Sequence, residues 1–353
     1  MTILIILAVV VSVVMPLKGK QAFASIKKSG LKDSVLIMEK GNLKLAFSRI
    51  HEDMYQFVRA APYVKKKDGE PLVAPCLQMS SVYGDKFLAL RGVTDVFFKA
   101  RGKNFEIIEG KNLKDPYDVI IGKLLSHRME ENFRVGQQLS IENKEWTIVG
   151  IYRAKGDPAE SGAIVRLEDF KEVTARDVYS YVEMKVDDVQ NMQKMTGYIN
   201  KAFTALHDEF PDAPAIMALP EKEYWAKLAK VFKMSVMISK ATAVIITVSV
   251  LLFLLNVSHS SFLKRQEKVK EAIKNGKGSY LGGVLVGVLV FSAVAGIIGG
   301  LIAMSFHGRP VNLQLSTILL RVEPSVLPRA IIMAILFGIV GNLPFLIMAA
   351  REK

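Results

Sequence analysis

Cysteine is almost missing from this chain. Cys76 stands alone in 353 residues, so no intramolecular disulfide forms, and beside Pro75 it reads as a small buried residue without a chemical role. Close-spaced metal ligands are missing as well: the five histidines, His51, His127, His207, His259 and His307, are far apart, and no HExxH pair occurs. No G-x-S-x-G elbow is present. Asn275-Gly276-Lys277-Gly278-Ser279 lacks the first glycine of a phosphate loop and puts Gly after its Lys, so nucleotide binding by this segment is not expected. The net charge is +13, but the Lys and Arg residues are scattered among acids with no aromatic-interleaved stripe, which argues against a nucleic-acid partner. The chain reads as non-catalytic, without a metal or cofactor of its own.

What the sequence has instead is apolar length. Hydrophobic residues make up 50% and the mean hydropathy is +0.26, too apolar for an ordinary soluble protein, while 23% charged residues is too many for a wholly embedded one. Segments 241–257, 281–304 and 330–350 carry no charge and approach or meet the ~20 residues of a membrane span. Segment 2–17 is shorter and closed by Lys18 and Lys20. Its rival reading is a cleaved signal peptide, because Ala22-Phe23-Ala24 resembles a cleavage site. No positive region precedes the apolar stretch, lysines intervene before that site, and Lys18 can snorkel, so a retained helix is expected. The loop after the second span holds Lys264, Arg265, Lys268, Lys270, Lys274 and Lys277, against Arg309, Arg321 and Arg329 after the third. The first loop is therefore cytoplasmic, with both chain ends inside and the long 18–233 segment outside.

Four transmembrane helices in a 1 + 3 arrangement follow, with a large extracytoplasmic α/β domain. The expected boundaries are span 1 at 1–17, the outer domain at 18–233, span 2 with a stalk at 234–258 and a cytoplasmic coupling loop or helix at 259–279. Span 3 covers 280–304, an outer loop 305–328, span 4 329–350 and a tail 351–353. Within the outer domain, SVLIM at 34–38 reads as a buried strand, and Ser48 precedes a helical pattern through Ile50, Met54, Phe57 and Val58. Short strand-like runs punctuated by Gly92, Gly110, Gly136 and Gly150 predict a β-rich inserted subdomain at about 86–175, with the flanking pieces pairing as one subdomain. Helical spacing from Glu221 through Tyr224, Leu228, Phe232 and Val236 runs into span 2 without Pro or Gly, predicting a continuous stalk. Gly283, Gly287, Gly296 and Gly300 form G-x-x-x-G pairs suited to close helix packing, within one subunit or between two.

The residues LIMEKGNLKLAFS at 36–48, Arg91-Gly92-Val93 with Glu109-Gly110, VIIG at 119–122, VGQQL at 135–139, TIVGI at 147–151 and Glu160-Ser161 follow one another in this layout. Together they resemble permeases of the MacB/LolC/FtsX superfamily, the type VII ABC transporters, over nearly the whole chain. The match is looser at 265–276 (RQEKVKEAIKNG), where Lys268 stands in place of an acid and Ala272 in place of a Leu. It is looser again at Pro344-Phe345, where Phe replaces an Ala.

The resemblance implies a bacterial inner-membrane permease subunit that transmits the movement of a partner ATPase to its outer domain, for export or extraction of a substrate. ATP and Mg²⁺ would be bound by that cytoplasmic ABC ATPase. A second permease copy or paralogue, and a periplasmic adaptor or substrate protein, are the further implied partners. The alternative is an FtsX-like signalling module activating an extracytoplasmic partner such as a cell-wall hydrolase. The coupling residues would be Phe262, Lys264, Arg265, Glu267, Lys268, Val269, Glu271 and Ile273. Phe262, Val269 and Ile273 share one helix face, which predicts an apolar ridge seated in a groove of the ATPase. The competing reading is a helix lying on the bilayer with its lysines on anionic headgroups.

Overall fold

Long apolar runs and short β-branched runs segregate along this chain, and so do its helices and strands. A computed structural model describes residues 2–156, 158–274, 276–313 and 316–352. Met1, Asn275 and Lys353, assigned above to the first span, the coupling segment and the tail, lie outside the described residues. In chain order, α1 (Thr2–Lys28) leads to β1 (Ser34–Glu39), α2 (Glu52–Arg59), β2 (Lys66–Lys67), β3 (Glu70–Pro71), β4 (Val73–Tyr83), β5 (Lys86–Val93) and α3 (Asp95–Arg101). Then come β6 (Phe105–Gly110), β7 (Asp118–Gly122), α4 (Leu125–Met129), β8 (Gln138–Ile141), β9 (Lys144–Ala154), β10 (Ala163–Arg166), α5 (Leu167–Thr174), β11 (Tyr181–Lys185), α6 (Met192–Glu209) and β12 (Ile216–Pro220). The chain finishes with α7 (Glu221–Lys274), α8 (Lys277–Met304), β13 (Pro310–Leu313), β14 (Ser316–Leu319) and α9 (Val326–Arg351). Helices α1, α7, α8 and α9 are long and apolar enough to cross a bilayer.

Two compact units result: a sheet domain of Ala22–Phe232 with Pro310–Ile318, and a helical unit holding the remaining described residues. The sheet domain is built on a ten-stranded sheet in the order β12-β1-β11-β4-β5-β10-β7-β9-β6, with β8 paired to β9. Strand β1 shows no polar alternation because both of its faces are covered. Val35 and Ile37 enter one core layer with Leu77, Met184, Ile199 and Phe203, while Leu36 and Met38 enter the other with Cys76, Phe97, Tyr152 and Tyr181. β1 pairs antiparallel with both β11 and β12, as expected of the flanking pieces.

The β-rich stretch does not stand apart as an inserted sheet. β4 pairs with β11 over Val73–Cys76 and with β5 from Cys76↔Val93 to Tyr83↔Lys86, so the flanking strands and the supposed insert share one sheet. The sequence pattern points away from β4: Pro75, opposite Val182, is unusual in an inner strand, and the strand has no clean alternation. Helix α2 also starts later than expected. Ser48 accepts a bond from the Glu39 N–H at 2.7 Å instead of capping a helix. The 305–328 stretch is more than a loop, since β13 and β14 pair and join the sheet domain. There the Thr317 N–H donates to Ser161 Oγ at 2.8 Å, and the Ser161 hydroxyl donates to the Thr317 carbonyl at 3.2 Å.

In the helical unit, small residues let backbones approach. Ile5, Val9, Leu254, Ala295, Ala330 and Ala334 form its core, and Ser12 and Thr247 hydroxyls meet at 2.7 Å between α1 and α7. A Cβ at Gly296 would stand 2.6 Å from the Ile331 Cα, and one at Gly300 2.7 Å from Leu327 Cδ1, so this glycine pair is filled by α9 of the same chain. Among the described residues no neighbouring element comes within 4 Å of a Cβ placed on Gly283 or Gly287. Gly296→Val should therefore lower the unfolding temperature of the detergent-purified chain, at a cost of about 1–3 kcal/mol, while Gly287→Val should leave it unchanged. Equal behaviour of the two variants in a thermal melt would refute this assignment.

Candidate functional site at the helix junction

The residues singled out for ATPase coupling lie on the last turns of α7, which continues from its apolar stretch to Lys274 without an intervening loop. Phe262, Val269 and Ile273 are buried, at 1%, 2% and 7% exposure. They pack with Ala349, Phe345 and Met348 of α9 and with Tyr280 and Leu281 of α8. The apolar ridge expected to enter a partner's groove is thus already occupied inside its own chain. Pro344 explains how α9 adapts to it. Proline has no N–H for the preceding turn, the next N–H, of Phe345, bonds Ser258 Oγ at 3.3 Å, and the Phe345 ring meets Phe262 edge-on with centroids 5.6 Å apart. Lys264, Arg265, Glu267, Lys268 and Glu271 remain exposed. Glu267, Lys268 and Glu271 border a shallow depression of about 560 Å³ with Lys270, Lys274 and Glu352. Gln266 Nε2 donates to Glu352 Oε1 there at 2.7 Å.

A second constellation lies inside the sheet domain, where the end of α1 meets the start of α7. α1 stops at Lys28, and Gly30 follows with φ +84°, a left-handed position that glycine takes without strain. Its missing side chain also makes room for Trp225, since a Cβ there would lie 2.5 Å from Cδ1. Glu221, the first residue of α7, accepts the Leu31 N–H on Oε2 at 2.9 Å and the Trp225 indole N–H on Oε1 at 3.3 Å. Lys222 donates to the carbonyls of Lys28 at 2.8 Å and Ser29 at 3.2 Å, oxygens that a helix end leaves without intrahelical partners. The start of α7 thus caps the end of α1 and the turn that follows it.

Arg101, the last residue of α3, ties this junction to the sheet. Its Nη2 donates to Glu183 Oε2 of β11 at 2.5 Å and to Glu221 Oε1 at 3.1 Å. Ser34 adds its hydroxyl to Glu183 Oε1 at 3.4 Å. Both carboxylates are buried, Glu183 at 0% and Glu221 at 2% exposure. Burial opposes the charge on Glu221, but Arg101, the Leu31 N–H and the Trp225 indole outweigh it and hold its pKa below the usual carboxylate range. Burial pushes Glu183 up, with repulsion from Glu221 adding to it and Arg101 opposing. Arg101 loses by burial and gains more from the two carboxylates, so its guanidinium is firmly charged.

Chemistry of other kinds finds little support nearby. Burial pushes the Cys76 thiol up to about 12, which keeps it from acting as a thiolate nucleophile. Among the described residues no three His, Cys, Asp or Glu side chains gather as a metal-ligand set. The junction residues escape a reading of the sequence because Arg101 looks like the basic end of a short helix and Glu221 like an ordinary first-turn acid. The available signal is Glu183: a carboxylate amid the apolar alternation of YVEMK needs a buried partner.

Removing that partner has a pH signature. In Arg101→Met both carboxyls lose their counter-ion and rise above the ordinary 4.5. The folded state then holds more protons than the unfolded one, so its stability falls as pH increases through that window. The variant should lose about 3–5 kcal/mol at neutral pH, and the gap to the native chain should narrow towards about pH 5. Thermal unfolding of the full chain at both pH values checks this, and a gap that does not narrow contradicts it.

A comparison with curated proteins finds no match. Among solved structures, the extracellular domain of the noncanonical ABC-type transporter YknZ from Gram-positive bacteria aligns with 53% of this chain and 100% of its own, at 13% identity and a TM-score of 0.40. The periplasmic region of MacB from Actinobacillus actinomycetemcomitans aligns with 58% of this chain and 92% of its own, at 11% identity and a TM-score of 0.40. A family model, that of the MacB-like periplasmic core domain, matches residues 1–202, which is more than half of the 353-residue chain. By that match, the chain belongs to the family defined by the MacB-like periplasmic core domain.

Proposed function

We propose that this chain is the permease subunit of an ABC transporter in a bacterial inner membrane, and that it works by passing movement rather than by conducting substrate through its own helices. A separate cytoplasmic ATPase holds ATP and Mg²⁺ and closes against the polar end of α7. The sheet domain, on the far side of the membrane, acts on an exported or extracted substrate. The observation that carries this reading is α7 itself. It is one uninterrupted helix from Glu221, whose carboxylate is buried in the sheet domain, to Lys274 at a charged end. At 1.5 Å per residue its 54 residues extend about 80 Å. A helix of that kind converts a push at one end into displacement at the other, provided it is firmly held where it starts. The ion cluster with Arg101 supplies that hold. Membership of the MacB-like family and the absence of charge from segments 241–257, 281–304 and 330–350 support the same reading.

The burial of Phe262, Val269 and Ile273 moves the docking surface to the exposed residues Lys264, Arg265, Glu267, Lys268 and Glu271. Charge reversal of Lys264, Lys268 and Glu271 should release the co-purifying ATPase while the chain stays folded. Val269→Asp with Ile273→Asp should instead unfold the helical unit. In the reconstituted complex, trapping the ATPase with vanadate should alter hydrogen exchange at Leu31 and Glu221. Met234→Pro, which breaks α7 at a cost of about 3 kcal/mol, should abolish that response without releasing the ATPase. Absence of any exchange response in the unmodified complex would sink the proposal.

A further inference from the structure

The turn after β1 combines features that the junction does not use. Its backbone is braced from several sides. Ser48 Oγ accepts the Glu39 N–H at 2.7 Å, Asn42 Oδ1 accepts the Lys44 N–H at 3.1 Å, and the Tyr224 hydroxyl of α7 donates to the Leu43 carbonyl at 2.9 Å. The Lys40 N–H bonds the Ala215 carbonyl at 2.6 Å, and Leu45 is buried beneath. On this fixed base Phe47 points outward with 64% of its surface exposed. Lys40, Lys44 and Arg49 are exposed around it, with the Lys44 ammonium 5.8 Å from the Phe47 ring centre. Among the described residues none of these three cations has a carboxylate within ion-pair distance. Glu39, Asn42 and Phe47 share the lining of a shallow depression of about 560 Å³ with Lys40, Gly41 and Arg49.

We infer that this turn is a docking surface for a protein segment in which carboxylates flank an aromatic or aliphatic side chain. The charge decides the sign of the partner: three unpaired cations against the single acid Glu39 favour an anionic one. An exposed aromatic inside a charged rim has the anatomy of an interface hot spot, where one anchor side chain supplies affinity and the rim supplies orientation. Glu39 and Asn42 offer directional hydrogen bonds at the wall of the depression. Those features fit a peptide better than a lipid surface, which needs a broad cationic face. Because Tyr224 holds Leu43, the docked segment rests on a turn bonded directly to α7.

The test uses the full chain in detergent and a short fluorescein-labelled peptide of alternating Glu and Leu. Anisotropy should report salt-sensitive binding. Phe47→Ser, and separately Lys40→Glu with Arg49→Glu, should each weaken it about tenfold without changing the thermal melt. Reversal of the exposed pair Lys66 and Lys67 should leave it unaltered, and the matching Gln-Leu peptide should bind more weakly. Binding by the Phe47 variant or the Lys40/Arg49 variant as tight as that of the unmodified chain, or equal binding of the Gln and Glu peptides, would overturn the inference. It is overturned too if these substitutions spare the peptide and abolish co-sedimentation with phosphatidylglycerol vesicles, which would assign the turn to lipid.

Discussion

A single guanidinium divided between two buried carboxylates sets the geometry of the sheet domain at its helix junction. Taking such groups out of water costs several kcal/mol per ion. The cost is offset only because each oxygen finds a donor. Glu183 takes Arg101 and Ser34, and Glu221 takes Arg101, Trp225 and the Leu31 N–H. Arg91 adds a second positive charge nearby, its guanidinium over the rings of Phe97 and Tyr181 at 5.7 and 5.9 Å. The cluster joins α3, β11, the segment leaving α1 and the first residue of α7. An apolar cluster of the same size tolerates sliding, because hydrophobic contact is not directional. A shared charge with short bonds does not, so it fixes the first residue of α7 against β11 and α3.

The helical unit relies on the opposite device. Its interior has almost no charge, and closeness comes from omitted side chains at Gly296 and Gly300, with a hydroxyl pair at Ser12 and Thr247. Its polar end is organised around Pro344, whose missing N–H is followed by the bond from the Phe345 N–H to Ser258. The Phe345 ring then closes over Phe262. The same contact that stabilises α9 against α7 therefore hides the apolar ridge and leaves a charged face outward. Lys268 and Glu271 stay exposed on that face.

Short apolar strands between glycines were legible: β5, β6, β7, β8 and β9 lie close to where Gly92, Gly110, Gly136 and Gly150 divide the sequence. β4 was not, because its serines and Pro75 break the alternation that marks a strand. Its absence from the sequence reading made one sheet look like a domain with an insert. The hairpin at β13 and β14 was invisible for a related reason: four-residue strands carry too little pattern, and their partner Ser161 lies far away in sequence. Periodicity placed Phe262, Val269 and Ile273 correctly on one helix face, but periodicity cannot say what covers that face.

The four membrane-length helices, the strand-rich segment between the first two of them and the family were determined by the sequence alone, since apolar length and local motifs are properties of contiguous residues. The continuity of α7 was equally local, because nothing between Glu221 and Lys274 breaks a helix. The ion cluster, the shared sheet and the burial of the coupling ridge were decided only by tertiary structure. Arg101 and Glu183 are 82 residues apart, and Arg101 and Glu221 are 120. An arginine at a helix end reads as solvated until the fold removes the water around it, and only then does its need for a carboxylate become a constraint.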